Sequence, residues 1–286
     1  MSGTSLEEEI VSLTRTANST RETLDEATRI KALKAARGLV EALSSPVETA
    51  VQAVSLSFAV PFALRMGVQL GVFKAIRDHD HNHQGQGITT DEIAGRSGAS
   101  PLVVEQVLRV LSATGHVLET GMQLYKPSAL TIVMADPIME ATTRATFDIG
   151  HPCVTYGPEY FRRNGNQFPT SVTDTPFQLA NNTNLSYFDW LGENPSLAQD
   201  FQQSMTIKQQ KTPCWVDWFD VEGVILDGFQ DMDMDEAILL VDIGGGEGHY
   251  THAFNRKFPH APGRRIIQDL PHVISSITSP PDLPIC

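Results

Sequence analysis

The N-terminal part of the chain repeats apolar residues with the period of a helix. Within residues 5–44 the apolar side chains recur at steps of three and four, so that they share one helical face. Pro46 follows this run and is expected to end the helix. A helix with one apolar face must cover either its own domain or a partner subunit, and the pattern leaves both open. The face consists of Leu24, Ala27, Ile30, Leu33, Ala36, Leu39 and Leu43.

The longest apolar tract covers residues 53–73. Its length would allow a membrane span, but Pro61, Arg65 and several glycines interrupt it. We therefore predict a pair of buried helices in this tract, and no membrane partner.

Residues 88–130 follow the order helix, turn, helix, hairpin. "TTDEIAGRSGAS" places a capping Thr and acids at the start of a first helix, which Gly98 should end. A second helix should begin after a capping Ser, with Pro101 in its first turn. Residues alternate around a Gly turn in "HVLETGMQLYKPSAL", which predicts a short hairpin. This order predicts a winged helix.

The charge of the chain argues against binding of nucleic acid by this winged helix. The 286 residues carry a formal net charge of -13, which repels a phosphate backbone. The second helix offers Gln106 and Arg109 to a groove, but Glu105 lies beside them. We therefore predict a structural or dimerising winged helix, with no nucleic acid partner. Its surroundings add the acids Asp91, Glu92 and Glu119.

Two groups of residues are potential metal ligands. His79, His81 and His83 alternate in "DHDHNHQGQG", residues 78–87, and a metal clip there is conceivable. Because the stretch has no apolar residue and two glycines, we predict a solvated loop without metal. The cysteines Cys153, Cys214 and Cys286 lie far apart, as in reduced intracellular proteins. The start "MSGTSLEEEI" lacks a secretory signal, so we expect a cytoplasmic protein.

Aromatic residues concentrate in the middle of the chain, between residues 145 and 220. They could pack between helices as a core, or they could form a wall for a flat hydrophobic substrate. The sequence leaves both interpretations open, and each could hold for different members. The group consists of Phe177, Tyr187, Phe188, Trp190, Phe201, Trp215, Trp218 and Phe219.

A strand, helix, strand unit follows an acidic linker over residues 227–237. "AILLVDI" (237–243) is a continuous apolar run, typical of a parallel strand buried on both faces. Four glycines follow, then a helical stretch that Pro259 should close, then "RRIIQDLP" (264–271) as a second strand. In such a unit the ligand lies at the carboxyl ends of the strands.

The glycine turn is typical of neither a dinucleotide fingerprint nor a P-loop. The pattern is an acid and three alternating glycines, Asp242, Gly244, Gly246 and Gly248, and no Gly-Lys-Ser/Thr follows. Bare backbone there could approach a small zwitterion and a ribose. Asp269, at the tip of the second strand, is placed to accept hydrogen bonds from ribose hydroxyls. S-adenosylmethionine fits this description.

The segment that contains the glycine turn and Asp269 resembles a known family. "LLVDIGGGEGHYTHAFNRKFPHAPGRRIIQDLPHVI" resembles the cofactor segment of the plant-type O-methyltransferases, and especially of their fungal relatives in secondary metabolism. The resemblance includes the winged helix, "PFQLANNTNLSYFDWLGENP" and "PCWVDWF", and covers roughly residues 45–275. It implies a homodimer that methylates phenolic or enolic hydroxyls of small aromatic or polyketide molecules. The cofactor contacts implied are Asp242, Gly244, Gly245, Gly246 and the ribose-binding Asp269.

The resemblance ends before the family's domain does. In that family the Rossmann-like domain continues with further strands, the adenine contacts and a histidine general base. The end of this sequence, "SSITSPPDLPIC", has three prolines and lies outside the family pattern. We therefore expect a C-terminally truncated member and name no catalytic residue. His249, His252, His260 and His272 do not match the family's catalytic position and are expected at the surface.

The fold expected is mainly α with α/β. It comprises N-terminal helices (1–45), a winged helix dimerisation domain (46–135), and a helical substrate region with a partial Rossmann-like domain (136–286). The function expected is S-adenosylmethionine-dependent O-methyl transfer to a natural-product hydroxyl, with Phe188, Trp215 and Trp218 as a substrate wall. One alternative is a non-catalytic dimerising partner protein. Another is a methyltransferase-like pocket that catalyses a non-methylating step such as cyclisation.

Overall fold

A computed structural model of the chain describes residues 5–20, 23–83, 85–211, 214–229, 237–246 and 248–277. Most of the predicted acidic linker and the proline-rich tail, residues 230–236 and 278–286, lie outside these ranges. The chain divides into two compact units, Met1–Phe62 and Ala63–Cys286. The domain boundaries expected from the sequence stay predictions.

The first unit consists of helices. The helices predicted within residues 5–44 are present, and Asp25 starts the second of them by accepting a hydrogen bond from the Thr28 amide at 2.9 Å. Ser45 and Glu48 form a capping box, with Pro46 in the first turn of the next helix. Ile30 and Leu33 on the predicted apolar face are solvent-exposed. The helices are α1 Leu6–Thr20, α2 Glu26–Leu43, α3 Pro46–Val51 and a π-helix Gln52–Leu56.

The winged helix follows the predicted order. The capping box of Thr89 and Glu92 starts its first helix, and Gly98 ends it in the left-handed conformation. Ser100 caps the second helix, and an antiparallel hairpin follows. The core buries Phe73 and Leu108 completely or nearly so. The elements are α4 Ala59–Gln69, α5 Val72–Asn82, β1 Ile88–Thr89, α6 Thr90–Ser97, α7 Pro101–Ala113, β2 Val117–Gly121, β3 Leu124–Pro127 and α8 Ala129–Met134, with the sheet order β1-β3-β2.

The tract over residues 53–73 contributes to this core. Ala63 on α4 and Val72 and Phe73 on α5 are buried, which confirms the predicted buried helix pair for these two helices. Within the described ranges no single helix has the length and apolar content of a membrane span. The helix pair Pro46–Val54 and Ala59–Gln69, bent by 41°, is long and apolar enough for a membrane span, by length and composition only.

The solvated loop predicted over residues 78–87 is wrong for its first part, since α5 continues to Asn82. His79 is buried against the core, and its ring stacks on His83 with centroids 4.0 Å apart. The polar stretch around His79 hid this burial, although His79 lies one turn after the apolar residues Ala75 and Ile76 on the same helical face. The described residues contain no group of three or more potential metal ligands.

The middle of the second unit is a layer of helices. Arg144 donates two hydrogen bonds to Asp200, of 2.8 and 2.7 Å, and thereby joins α9 to α13. Arg65 donates a similar pair to Asp148. The elements are α9 Pro137–Ala145, a π-helix Thr146–Gly150, α10 His151–Arg163, α11 Pro176–Asn181, α12 Tyr187–Glu193 and α13 Pro195–Lys211.

The last layer contains the predicted strand, helix, strand unit. Its two strands pair in parallel, with Val241 opposite Ile266 and Asp242 opposite Ile267. The first strand is partly exposed, at Ile238, Val241 and Ile243, as expected for a unit of only two strands and one helix. The elements are α14 Trp215–Trp218, a π-helix Glu222–Leu226, β4 Ile238–Ile243, α15 His249–Lys257, β5 Arg264–Gln268 and α16 Pro271–Ser276. The fold is thus mainly α, with a winged helix, a helical middle and the start of a Rossmann-like sheet.

Candidate functional site

The glycine turn directly follows β4 and takes a conformation that favours glycine. Gly244, Gly246 and Gly248 have φ of 71°, 54° and 77°, in the left-handed region that other residues rarely adopt. A Cβ added at Gly244 or Gly246 would meet nothing within 4 Å. The backbone of these two residues therefore faces open space that a ligand can enter.

The other two glycines of the turn are required by packing. A Cβ at Gly245 would lie 2.9 Å from both Asp242 Cγ and Ile267 Cγ2. A Cβ at Gly248 would collide with Ile267 Cδ1. The turn thus has an open side and a side pressed against β5. Gly245, one of the predicted cofactor contacts, lies on the packed side.

Asp269 lies against the glycine turn. Its Oδ2 accepts a hydrogen bond from the Gly246 amide at 2.8 Å, and its Oδ1 accepts one from the Leu270 amide at 2.7 Å. The Gly244 amide donates to the Gln268 carbonyl at 2.7 Å. The two segments singled out from the sequence therefore meet at the carboxyl ends of β4 and β5, where ligands of such sheets bind.

Asp242, the acid at the end of β4, is fixed by a residue that the sequence analysis missed. The Thr251 hydroxyl donates to Asp242 Oδ2 at 2.8 Å, and Thr251 is fully buried. A sequence signal existed, because Thr251 lies three residues before the buried Phe254 on α15 and so shares its inward face. This hydrogen bond fixes the direction of the Asp242 carboxylate at the edge of the turn.

An apolar cavity of about 380 Å³ lies beside Asp242. Trp215 and Trp218, two of the three residues predicted for a substrate wall, line it. Trp215 stacks on Phe254 with ring centroids 5.9 Å apart, whereas the Trp218 side chain is 70% exposed. The remaining lining residues are Phe219, Ile225, Leu240, Val241, Tyr250 and Thr251.

Phe188, the third predicted wall residue, does not line this cavity. It contacts the edge of Tyr187, with ring centroids 5.2 Å apart, in a separate aromatic cluster. Tyr187 and Trp190 in turn pack against the buried Phe177. The aromatic residues therefore form two groups, one in the helical core and one beside the strand unit.

The four histidines of this segment have different surroundings. His249 and His252 on α15 are half-buried, and His260 is exposed. The side chain of His272 lies outside the described part of the chain. His260 thus lies at the surface as predicted, and His249 and His252 are partly exposed.

Comparison with known proteins gives two kinds of sequence match. A family profile described as the O-methyltransferase dimerisation domain matches residues 53–135. The chain is 31% identical over 255 residues to the O-methyltransferase penC of Penicillium thymicola, covering 88% of this chain and 61% of that protein. It is 34% identical over 212 residues to the demethylsterigmatocystin 6-O-methyltransferase of Aspergillus parasiticus, covering 74% of this chain and 52% of that one. The chain thus spans between half and two thirds of the length of these curated relatives.

Solved structures agree with this relationship. A structure of LepI in complex with SAM matches with a TM-score of 0.79 and 27% identity, covering 99% of this chain and 70% of that chain. A structure described as a pericyclic reaction enzyme matches with a TM-score of 0.79 and 26% identity, covering 98% and 70%. The profile, the relatives and the shared fold agree, and the chain belongs to the O-methyltransferase family that carries this dimerisation domain.

Proposed function

We propose that this chain binds S-adenosylmethionine at the glycine turn between β4 and α15. The observation that carries the proposal is the meeting of Gly246 and Asp269, 2.8 Å apart, at the carboxyl ends of two parallel strands. The open backbone of Gly244 and Gly246 would lie against the cofactor. The Asp269 carboxylate would accept hydrogen bonds from the ribose hydroxyls, in exchange for its bond to the Gly246 amide.

The residues of the turn fit a small zwitterion with a ribose. The turn, residues 244–248, contains no Lys or Arg, which suits a ligand without a pyrophosphate. Asp242, held by Thr251, places a second carboxylate beside the turn for the ammonium end of the cofactor. LepI, a structural neighbour at 27% identity, has been solved with SAM.

We propose that the reaction served is O-methylation of a small aromatic or polyketide hydroxyl. The names of the relatives support this substrate class, since one methylates the 6-oxygen of demethylsterigmatocystin. The bound sulfonium would supply the methyl group, and the protein would align the acceptor oxygen with it. We also propose a homodimer formed through the dimerisation domain, which the match over residues 53–135 supports.

Calorimetry with S-adenosylmethionine and with its demethylated product tests the cofactor proposal. Asp269→Asn should lower affinity about tenfold or more, because it weakens hydrogen bonds from the ribose to a charged acceptor. Asp91→Asn, at an exposed acid on the winged helix, is the matched control and should bind like the unaltered chain. Absence of binding to the unaltered protein, or equal affinity of Asp269→Asn, would contradict the proposal.

A second candidate is a non-methylating step such as a cyclisation. The resemblance to a structure described as a pericyclic reaction enzyme favours it, at the same TM-score as the complex of LepI with SAM. Mass spectrometry of products from a polyketide or phenol panel separates the two reactions. Methyl transfer adds one methylene mass and releases the demethylated cofactor, whereas a cyclisation leaves mass and cofactor unchanged.

A further inference from the structure

The Asp242 carboxylate is confined from two sides. On one side its Oδ2 accepts a hydrogen bond from the Thr251 hydroxyl at 2.8 Å. On the other side lies Gly245, where an added Cβ would stand 2.9 Å from Asp242 Cγ and displace the carboxylate. The glycine turn and α15 therefore hold the side chain of Asp242 between them in one orientation.

The support that Thr251 gives is rigid. Thr251 is fully buried, and so is Phe254 three residues later on the same face of α15. Trp215 stacks on Phe254 and closes this layer. A donor whose own position is fixed by core packing holds its acceptor in a defined direction. Asp242, by contrast, is only half-buried, so a ligand can reach it.

We propose that Thr251 is a positioning residue that makes this site selective for the amino acid part of S-adenosylmethionine, acting through Asp242. The inference rests on the cofactor binding proposed above. With Oδ2 bound to Thr251, Oδ1 of Asp242 accepts the hydrogen bond from the ammonium group of the ligand. Because the carboxylate is ordered before the ligand arrives, binding loses less conformational entropy.

The two carboxylates of the site then recognise different parts of the ligand. Asp269 is held by the backbone amides of Gly246 and Leu270, and it faces the ribose. A change of the Thr251 side chain leaves those backbone donors in place. A ligand that has the ribose but no ammonium therefore separates the two roles. 5′-Methylthioadenosine is such a ligand, since it keeps the adenosine and the thioether and lacks the amino acid.

Calorimetry of Thr251→Val with both ligands tests the proposal. The affinity for S-adenosylmethionine should fall about fivefold, because the ligand must then order the Asp242 carboxylate itself. The affinity for 5′-methylthioadenosine should stay within about twofold, since it makes no contact with Asp242. A general loss of stability would lower both affinities alike, so the ratio of the two affinities reports positioning alone. Thr251→Ser keeps the donor and should restore the ratio of the unaltered chain.

Two further variants serve as controls. Thr131 of the winged helix is as fully buried as Thr251, and its hydroxyl donates to the His116 carbonyl. Thr131→Val therefore removes the same group elsewhere in the fold and should leave both affinities unchanged. In an Asp242→Ala background, Thr251→Val should have no further effect on either affinity, because the carboxylate that it positions is gone.

The outcomes separate this inference from the cofactor proposal. If the unaltered chain binds neither ligand, the cofactor site itself is wrong and the role of Thr251 falls with it. If the unaltered chain binds both ligands and Thr251→Val changes both affinities equally or neither, Thr251 supports only the fold. A loss confined to S-adenosylmethionine that Thr251→Ser restores is the result expected.

Discussion

Thr251 provides a test of how the end of β4 is held in place. Its hydroxyl is buried and donates to Asp242 Oδ2 at 2.8 Å. Thr251→Val keeps the shape of the side chain and removes the donor. A hydrogen bond to a charged acceptor contributes about 1.5–3 kcal/mol. Because Asp242 is half-buried and retains some contact with water, we expect a loss of about 2 kcal/mol, a factor of about 30 in the folding equilibrium.

Urea unfolding followed by tryptophan fluorescence measures this loss. Trp215 stacks on Phe254 in the same layer, so its emission reports the unfolding of this region. A Trp190→Phe background removes the signal from the helical middle. With a urea dependence of about 2 kcal/mol per molar, Thr251→Val should lower the unfolding midpoint by about 1 M.

Thr251→Ser is the matched control for this prediction. It keeps the hydroxyl donor and deletes one methyl group, which costs about 0.8 kcal/mol. The expected order of stability is therefore the unaltered chain, then Thr251→Ser, then Thr251→Val. If Thr251→Val is as stable as Thr251→Ser or more so, removing the hydrogen bond to Asp242 costs no more than about 0.8 kcal/mol instead of about 2 kcal/mol, and the reasoning is refuted.

Three further predictions concern other parts of the fold. Arg144→Met should destabilise the chain by about 3 kcal/mol in chemical unfolding, because Asp200 would remain buried without its partner, and Arg144→Met with Asp200→Leu should recover most of that loss. Gly248→Ala should destabilise the folded chain more than Gly244→Ala. Both substitutions cost about 1–2 kcal/mol for the left-handed conformation, but only the alanine at position 248 collides with Ile267. Equal melting temperatures of the two variants would contradict this. Burial lowers the pKa of His116, so its contribution to stability should be full above the unfolded pKa of about 6.5 and be lost as pH falls through the lower folded value. Thermal unfolding of the unaltered chain and of His116→Gln between pH 8 and pH 5 measures this difference.

Features that depend on local chemistry were predictable from the sequence. Thr89 and Ser100 cap the two helices of the winged helix as predicted, because a cap involves only residues within one turn. The positive φ of Gly244 and Gly246 follows in the same way from a tight turn between strand and helix. Such signals are complete within a few residues, and no distant part of the chain overrides them.

Features that depend on distant contacts were not predictable. His79 is helical and buried because the core of the winged helix packs against it, and the polar stretch around it gave no sign of this. Phe188 was expected to form a substrate wall with Trp215 and Trp218 because all three belong to one aromatic-rich segment of the sequence. In the structure Phe188 lies with Tyr187, while the two tryptophans lie beside β4. Sequence distance does not determine which of several aromatic residues share a cluster.

The solvent exposure of β4 differs from what its apolar sequence run alone indicates. A continuous apolar run is typical of a strand buried on both faces, yet Ile238 and Ile243 are exposed within the described part of the chain. A run of apolar residues indicates that a strand can be buried on both faces. It does not show that the strand is buried.

The contacts that shape the proposed cofactor site are short-range within the strand unit. Gly244 bonds to Gln268, Gly246 bonds to Asp269, and Asp242 is held from α15. Two strands and one helix therefore suffice to place Asp269, the residue proposed to bind the ribose, against the glycine turn. Alignment of an acceptor hydroxyl with the methyl group needs a wall on the far side of the cofactor as well. We therefore expect cofactor affinity to depend on Asp242, Gly244, Gly246 and Asp269, and turnover to depend in addition on what covers the cavity beside β4.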